Sequence, residues 1–146
     1  MTLVDTNLLI YATFRDAREH QQARTWLERQ LAQSDGGVVL CWPVVYAFVR
    51  LITSVRVFGQ HAVSVKEGWA VAEAHLHQPG VRLVSAGAGH QLIATELAQT
   101  PGLRSDDVLD IEIAALAIEH GLVLASHDRG FWRFAGLRVI DPLTDE

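Results

Sequence analysis

Apolar residues follow two rhythms along this chain. Short unbroken runs, Thr2-Leu3-Val4, Val38–Cys41, Val81–Val84, Leu122–Ala125 and Leu137–Ile140, read as strands. Between them apolar positions recur every three or four residues, the spacing of one helix face. Thr6 or Asn7 caps a first helix through Leu8, Leu9, Ile10 and Tyr11. A second runs from about Arg18 to Gln33, with Ala23, Trp26, Leu27 and Leu31 on one side. Asp35-Gly36-Gly37 then reads as a turn. Pro43 opens a third helix carrying Val44, Val45, Phe48, Val49 and Ile52. Ser64 with Glu67 forms the capping box of another, which stops before Pro79-Gly80. Two more follow, about Gly89 to Gln99 and Asp106 or Asp107 to His120, the latter stopped by Gly121. Phe131, Trp132 and Phe134 sit in a short turn or helix before the last strand. Continuous apolar strands alternating with helices predict an α/β fold, a parallel sheet covered on both faces.

Composition narrows the class. The chain's 146 residues amount to one ordinary domain, 1–146, without repeat or linker. With 49% hydrophobic and 20% charged residues it is globular in composition. No apolar run approaches the roughly 18 residues of a membrane span, so no membrane contact and a cytoplasmic location are expected. The lone cysteine, Cys41, stands in an apolar strand and reads as a buried thiol of a reducing compartment. The net charge of −5 argues against a protein that coats nucleic acid through phosphate neutralisation. It leaves room for one that meets phosphates through bound cations.

Ligands of open parallel sheets bind beyond the carboxyl ends of the strands. Asp5 and Asp128 stand at two such ends, although each alone reads equally well as a helix cap. Asp110 is more telling. Its helix neighbours Ile113, Ala114 and Ala117 are apolar, whereas Glu112 and Glu119 share the opposite, solvent side. A carboxylate at the edge of a buried stripe needs a cation, an arginine or the helix N-terminus. Three carboxylates brought together repel unless neutralised, and hard divalent cations with oxygen ligands do that. Asp5, Asp110 and Asp128 are therefore candidate ligands of Mg²⁺ or Mn²⁺ and candidate catalytic residues for phosphoryl chemistry.

These segments carry a family resemblance. Val4-Asp5-Thr6-Asn7-Leu8-Leu9-Ile10-Tyr11 resembles the opening motif of PIN-domain nucleases. Asp110-Ile111-Glu112-Ile113-Ala114-Ala115 resembles their acidic helix, and Leu124-Ala125-Ser126-His127-Asp128-Arg129-Gly130-Phe131 their later strand and acid. In its single-domain form the chain is similar to VapC toxins of VapBC toxin–antitoxin pairs. The resemblance implies a three-layer α/β/α sandwich with about five parallel strands, metal-dependent endoribonuclease activity, a homodimer and a VapB-like antitoxin partner. It also implies a glutamate in the helix after the second strand, a position assigned to Phe48 and shared with relatives that lack the acid. Gly130 stands where many relatives carry a further acid. Asp106 and Asp107 are one turn before Asp110 and read first as helix caps.

Other signals are weaker. His75 and His77, two apart on a helix, read as solvated surface residues rather than ligands. For His127 a substrate contact and a solvated side chain both stay open. Trp26, Trp42, Trp69 and Trp132 read as core or interface residues rather than base-stacking platforms. Arg50 and Arg56 are candidate phosphate contacts. Gly87-Ala88-Gly89 lacks the third glycine of a dinucleotide fingerprint. Two rival functions remain: a PIN-like binding module without strong catalysis, and an α/β phosphatase that forms an aspartyl phosphate. The phosphatase requires an acid two residues after Asp5, where this chain has Asn7.

Overall fold

A computed structural model describes residues 1–33 and 37–144. Asp35 and Gly36 of the expected turn lie outside the described residues. Five parallel strands form one sheet: β1 (Thr2–Val4), β2 (Val38–Cys41), β3 (Val81–Val84), β4 (Val123–Ala125) and β5 (Val139–Ile140), in the spatial order β3-β2-β1-β4-β5. β1, β2 and β4 are almost wholly buried, as unbroken apolar runs require, whereas β3 lies at an edge and leaves Leu83 exposed. β5 covers only the last two residues of its predicted run, and β4 starts one residue later than expected.

Seven helices lie among the described residues: α1 (Thr6–Thr13), α2 (His20–Leu31), α3 (Trp42–Ile52), α4 (Val55–Phe58), α5 (Val65–Leu76), α6 (His90–Leu97) and α7 (Val108–Glu119). The short α4 was not foreseen, since four residues show no helical period. The others begin and end within a few residues of their predicted limits. Ser64 and Glu67 close the expected capping box around α5, at 3.1 Å in both directions. Gly121, at φ 67°, stops α7 in the left-handed conformation that glycine accepts without strain.

The strand order decides where ligands go. From β1 the chain steps to β2 and then β3 on one side, and later returns to β4 on the other side of β1. Right-handed crossovers then put α1 to α5 on one face and α6 and α7 on the other. That is the expected three-layer sandwich. The direction of travel reverses between β1 and β4, which pair in register from Thr2 opposite Val123 to Val4 opposite Ala125. The carboxyl ends of these two strands flank the crevice where such sheets bind ligands.

Candidate active site

Asp5 leaves β1 and is itself the N-cap of α1; Thr6 and Asn7 are not. Its backbone is extended (φ −76°, ψ 160°) and its Oδ1 accepts the Thr6 N–H at 2.7 Å. The carboxylate is only 7% exposed. Its second oxygen, Oδ2, accepts the Ser126 hydroxyl at 2.6 Å, and the same Oγ accepts the Asp128 N–H at 2.9 Å. Ser126, wholly buried at the end of β4, thus bridges the two acids that the sheet brings side by side. The sequence alone does not mark Ser126 as a site residue, because its role depends on the pairing of β1 with β4. Asp128 is exposed and caps the turn after β4, with Oδ1 accepting the Gly130 N–H at 2.8 Å.

Asp110 approaches from the other face in the first turn of α7. It lines, with Asp5 and Asp128, one cleft of about 560 Å³. The three predicted carboxylates therefore share one cavity. Their proximity shows in their acidity. The Asp110 carboxyl is pushed up to about 6, first by partial burial and then by the negative charges of Asp128 and Asp5. Asp5 is also raised, mainly by burial, against the lowering effect of its hydrogen bonds from Ser126 and Thr6. Burial and the neighbouring charges both disfavour the ionised Asp110, and a divalent cation would offset both.

The donors fit Mg²⁺ or Mn²⁺: all are hard oxygens and no cysteine or histidine competes at the cleft. Among the described residues no three acidic, histidine or cysteine side chains are already drawn to ligand spacing.

Two further acids line the cleft. Glu112, expected on the solvent side, opens onto it, as does Asp106. Glu119 is not simply solvated either. Its carboxylate accepts the Gly87 and Gly89 N–H groups at 3.0 and 2.9 Å and so braces the loop after β3. Asp107 pairs with Arg133 at 2.7 Å and accepts the Arg104 N–H, which together hold its carboxyl below the usual range.

Helix α3 supplies the opposite wall. Here Ala47, not Phe48, faces the cleft, together with Tyr46 and Arg50. Phe48 is 1% exposed and meets the His75 ring edge-on, centroids 5.6 Å apart. Phe48, the position assigned to the family's glutamate, is thus packed away from the cleft, and the α3 residue that faces it there is Ala47. Arg50, one of the two candidate phosphate contacts, lines the cleft, whereas Arg56 on α4 does not.

His75 departs from its expected surface position, while His77 is exposed. The Thr13 hydroxyl donates to the Leu9 carbonyl at 2.6 Å, so at 2.9 Å it accepts from His75 Nε2. Burial lowers the His75 pKa. Cys41 is buried as expected, and its thiol is pushed up to about 12. Trp26 and Trp69 pack against the core, but Trp42 is 39% and Trp132 58% exposed.

Residues 2–137 match the PIN domain family. The chain is 36% identical over 143 residues to the VapC ribonuclease Mb2897 of Mycobacterium bovis, covering 98% of this chain and 96% of that one. With ribonuclease VapC33 of Mycobacterium tuberculosis it shares 32% identity over 145 residues, 99% of this chain and all of the other. Among solved structures, VapBC2 from Rickettsia felis bound to a promoter DNA fragment aligns with a TM-score of 0.72 at 17% identity, covering 96% and 97% of the two chains. Mycobacterium tuberculosis VapC20, a sarcin-ricin loop cleaving toxin, aligns at 0.67 with 18% identity over 94% and 99%. The chain belongs to the PIN-domain family, among its VapC ribonucleases.

Proposed function

We propose that this protein is a single-domain endoribonuclease dependent on Mg²⁺ or Mn²⁺, the toxin of a toxin–antitoxin pair, acting on RNA in the cytoplasm. The observation that carries the reading is the gathering of Asp5, Asp110 and Asp128 in one cleft at the reversal of strand order, with Asp110 raised to about 6 by partial burial and then by the other two charges.

A divalent cation bound there would offset the charge of a phosphodiester and acidify a water for in-line attack on phosphorus. The chain's own residues do the rest. Asp5 holds its orientation through Thr6 and Ser126, so its carboxylate needs no rearrangement to act as a ligand. Ser126 fixes the backbone of Asp128 to the same frame. Asp110 enters from α7 and supplies the third negative charge. Arg50, across the cleft, offers a cation to the phosphate.

Partners follow from the surface. Trp42, Tyr46 and Trp69 form a ladder of rings with centroids 6.2 and 5.5 Å apart, and Val65 beside them is 68% exposed. An apolar face of this kind suits a homodimer, while a VapB-like antitoxin is the second protein partner. Among the described residues no single helix is long and apolar enough to cross a membrane.

A second reading, a binding module with weakened catalysis, is favoured by Ala47, which leaves the cleft one carboxylate short. One experiment separates them. Purified protein is incubated with total RNA in Mg²⁺, Mn²⁺, Zn²⁺ or excess EDTA. The nuclease reading expects cleavage in the first two and none in EDTA. Undiminished cleavage in EDTA overturns metal dependence, and absence of cleavage in every metal favours the binding module.

A further inference from the structure

The turn that follows Asp128 carries a feature that the carboxylate chemistry leaves unused. Arg129–Arg133 form one tight turn capped by Asp128. Phe131 and Phe134 anchor it in the core, at 1% and 2% exposure, with ring centroids 6.3 Å apart. Trp132 stands between these anchors and points away from the core, its indole more than half in solvent. A rigid turn thus presents a large aromatic face to water.

Beside it opens a hollow of about 290 Å³ lined by Arg129, Trp132, Asp141 and Thr144. Its floor is fixed. Asp141 Oδ1 accepts the Leu143 N–H at 3.0 Å, and Oδ2 accepts from His127 Nδ1 at 2.8 Å. His127 in turn donates its backbone N–H to Asn7 at 3.3 Å and meets the Tyr11 ring edge-on at 6.1 Å. Asn7 and Tyr11 line the carboxylate cleft. An unbroken series of contacts therefore leads from the cleft, through His127, to the hollow.

We infer that this hollow is a nucleotide subsite: the base of an unpaired nucleotide next to the scissile phosphate stacks on Trp132, and Arg129 contacts its phosphate or sugar. Aromatic faces with a neighbouring arginine hold single-stranded nucleic acid in this manner, with little regard to base identity. Such a device complements the charge balance. A chain of net charge −5 does not draw RNA in by its overall field, and three carboxylates repel the strand at the point of cleavage. Stacking supplies attraction that owes nothing to net charge. The spacing is suitable too, because Arg129 follows Asp128 directly and Trp132 lies in the same turn. The inference rests on RNA as the substrate.

The test measures binding apart from cleavage. A fluorescein-labelled single-stranded RNA octamer is titrated in EDTA and followed by anisotropy, with wild type, Trp132→Ala, Trp132→Phe, Trp132→Leu and, as an exposed apolar residue on α6 that lines neither cavity, Leu92→Ala. The subsite expects Trp132→Ala to weaken binding about 5- to 100-fold. Trp132→Phe keeps affinity within about threefold, since a ring still stacks, and Leu92→Ala changes nothing. Octamers abasic at successive positions locate the stacked nucleotide. On the one that weakens wild type most, Trp132→Ala causes little further loss. If the alanine variant melts below the assay temperature, the comparison of leucine with phenylalanine carries the same test. Wild-type affinity in the alanine and leucine variants, or no wild-type binding, overturns the subsite. Trp132-dependent binding without metal-dependent cleavage overturns the nuclease reading and leaves the subsite standing. Cleavage with Trp132-independent binding does the reverse.

Discussion

Arg133 Nη2 lies 2.7 Å from Asp107 Oδ1, and this contact ties the turn after Asp128 to the start of the helix that carries Asp110. The pair is partly solvated, so it contributes little to global stability. Its importance is local. Arg133 also lowers the Asp110 pKa against the raising effect of the neighbouring acids. Arg133→Ala is expected to leave the melting temperature within a few degrees of wild type but raise the Mg²⁺ needed for half-maximal RNA cleavage. Asp107→Ala combined with it adds little, because both remove one contact. Full additivity in Mg²⁺ titrations of the single and double variants would show that the two residues act separately.

The positions of Ala47 and Phe48 yield a pair of opposite expectations. Ala47→Glu adds a carboxylate to the wall that α3 presents to the cleft of Asp5 and Asp110. It should lower the Mg²⁺ requirement several-fold with the fold intact. Phe48→Glu buries an unpaired charge at a site only 1% exposed, which costs several kcal/mol and should give insoluble or unfolded protein. Soluble, more active Phe48→Glu beside inert Ala47→Glu would reverse this assignment of the two positions.

Asp110→Asn removes the charge that the site resists. The wild-type carboxyl titrates near 6 when folded and near 3.8 when unfolded. Between these values the folded state keeps a proton that the unfolded chain has released. Stability therefore falls as pH rises through the window, and the full penalty stands above about pH 6. Because the residue is half exposed, screening leaves about 1 kcal/mol of this at neutral pH, or roughly 2–4 °C in a chain of this size. The variant should melt higher by that amount in EDTA at pH 7.5, with the gap closing toward pH 4, and should no longer cleave RNA. Scanning calorimetry across this range checks the sign. A variant that melts lower at pH 7.5 would make Asp110 a helix cap instead.

His75 titrates in the opposite sense. Burial lowers its folded pKa below the ordinary histidine value. The unfolded chain thus takes up the proton first as pH falls, and stability is lost on the acid side of about pH 6.5. His75→Gln keeps a donor for Thr13 without titrating. Measured in the Asp110→Asn background, which removes the opposing carboxylate, the histidine protein should lose more melting temperature between pH 7.5 and 5.5 than the glutamine variant. Equal slopes would refute the buried histidine as the acid-sensitive group.

The layers, the parallel sheet and the three carboxylates were legible because each is written in local pattern: unbroken apolar strands, helical periods and acids placed just after strands. What escaped depends on three-dimensional neighbours. Phe48 and Ala47 are adjacent in sequence, and only the rotation of α3 against the sheet tells which of them faces the cleft. Glu119 looks solvated from its helical position, yet the loop after β3 folds back to cover it. Ser126 and His75 are ordinary polar residues until β1 meets β4, or α1 meets α5, and supplies their partners. Trp132 resembles its flanking phenylalanines in hydropathy, and the tightness of the turn alone decides that it faces outward.

The pairing of β1 with β4 also sets an order in time. Asp5 leaves the ribosome well before the strand that completes its surroundings, residues 123–125. Ser126, which orients the Asp5 carboxylate, and Asp128 follow directly. A nascent chain, or one broken off before residue 123, therefore holds Asp5 and Asp110 without the Ser126 bridge and without Asp128. On the proposed function, cleavage of RNA is expected only once β1 and β4 have paired.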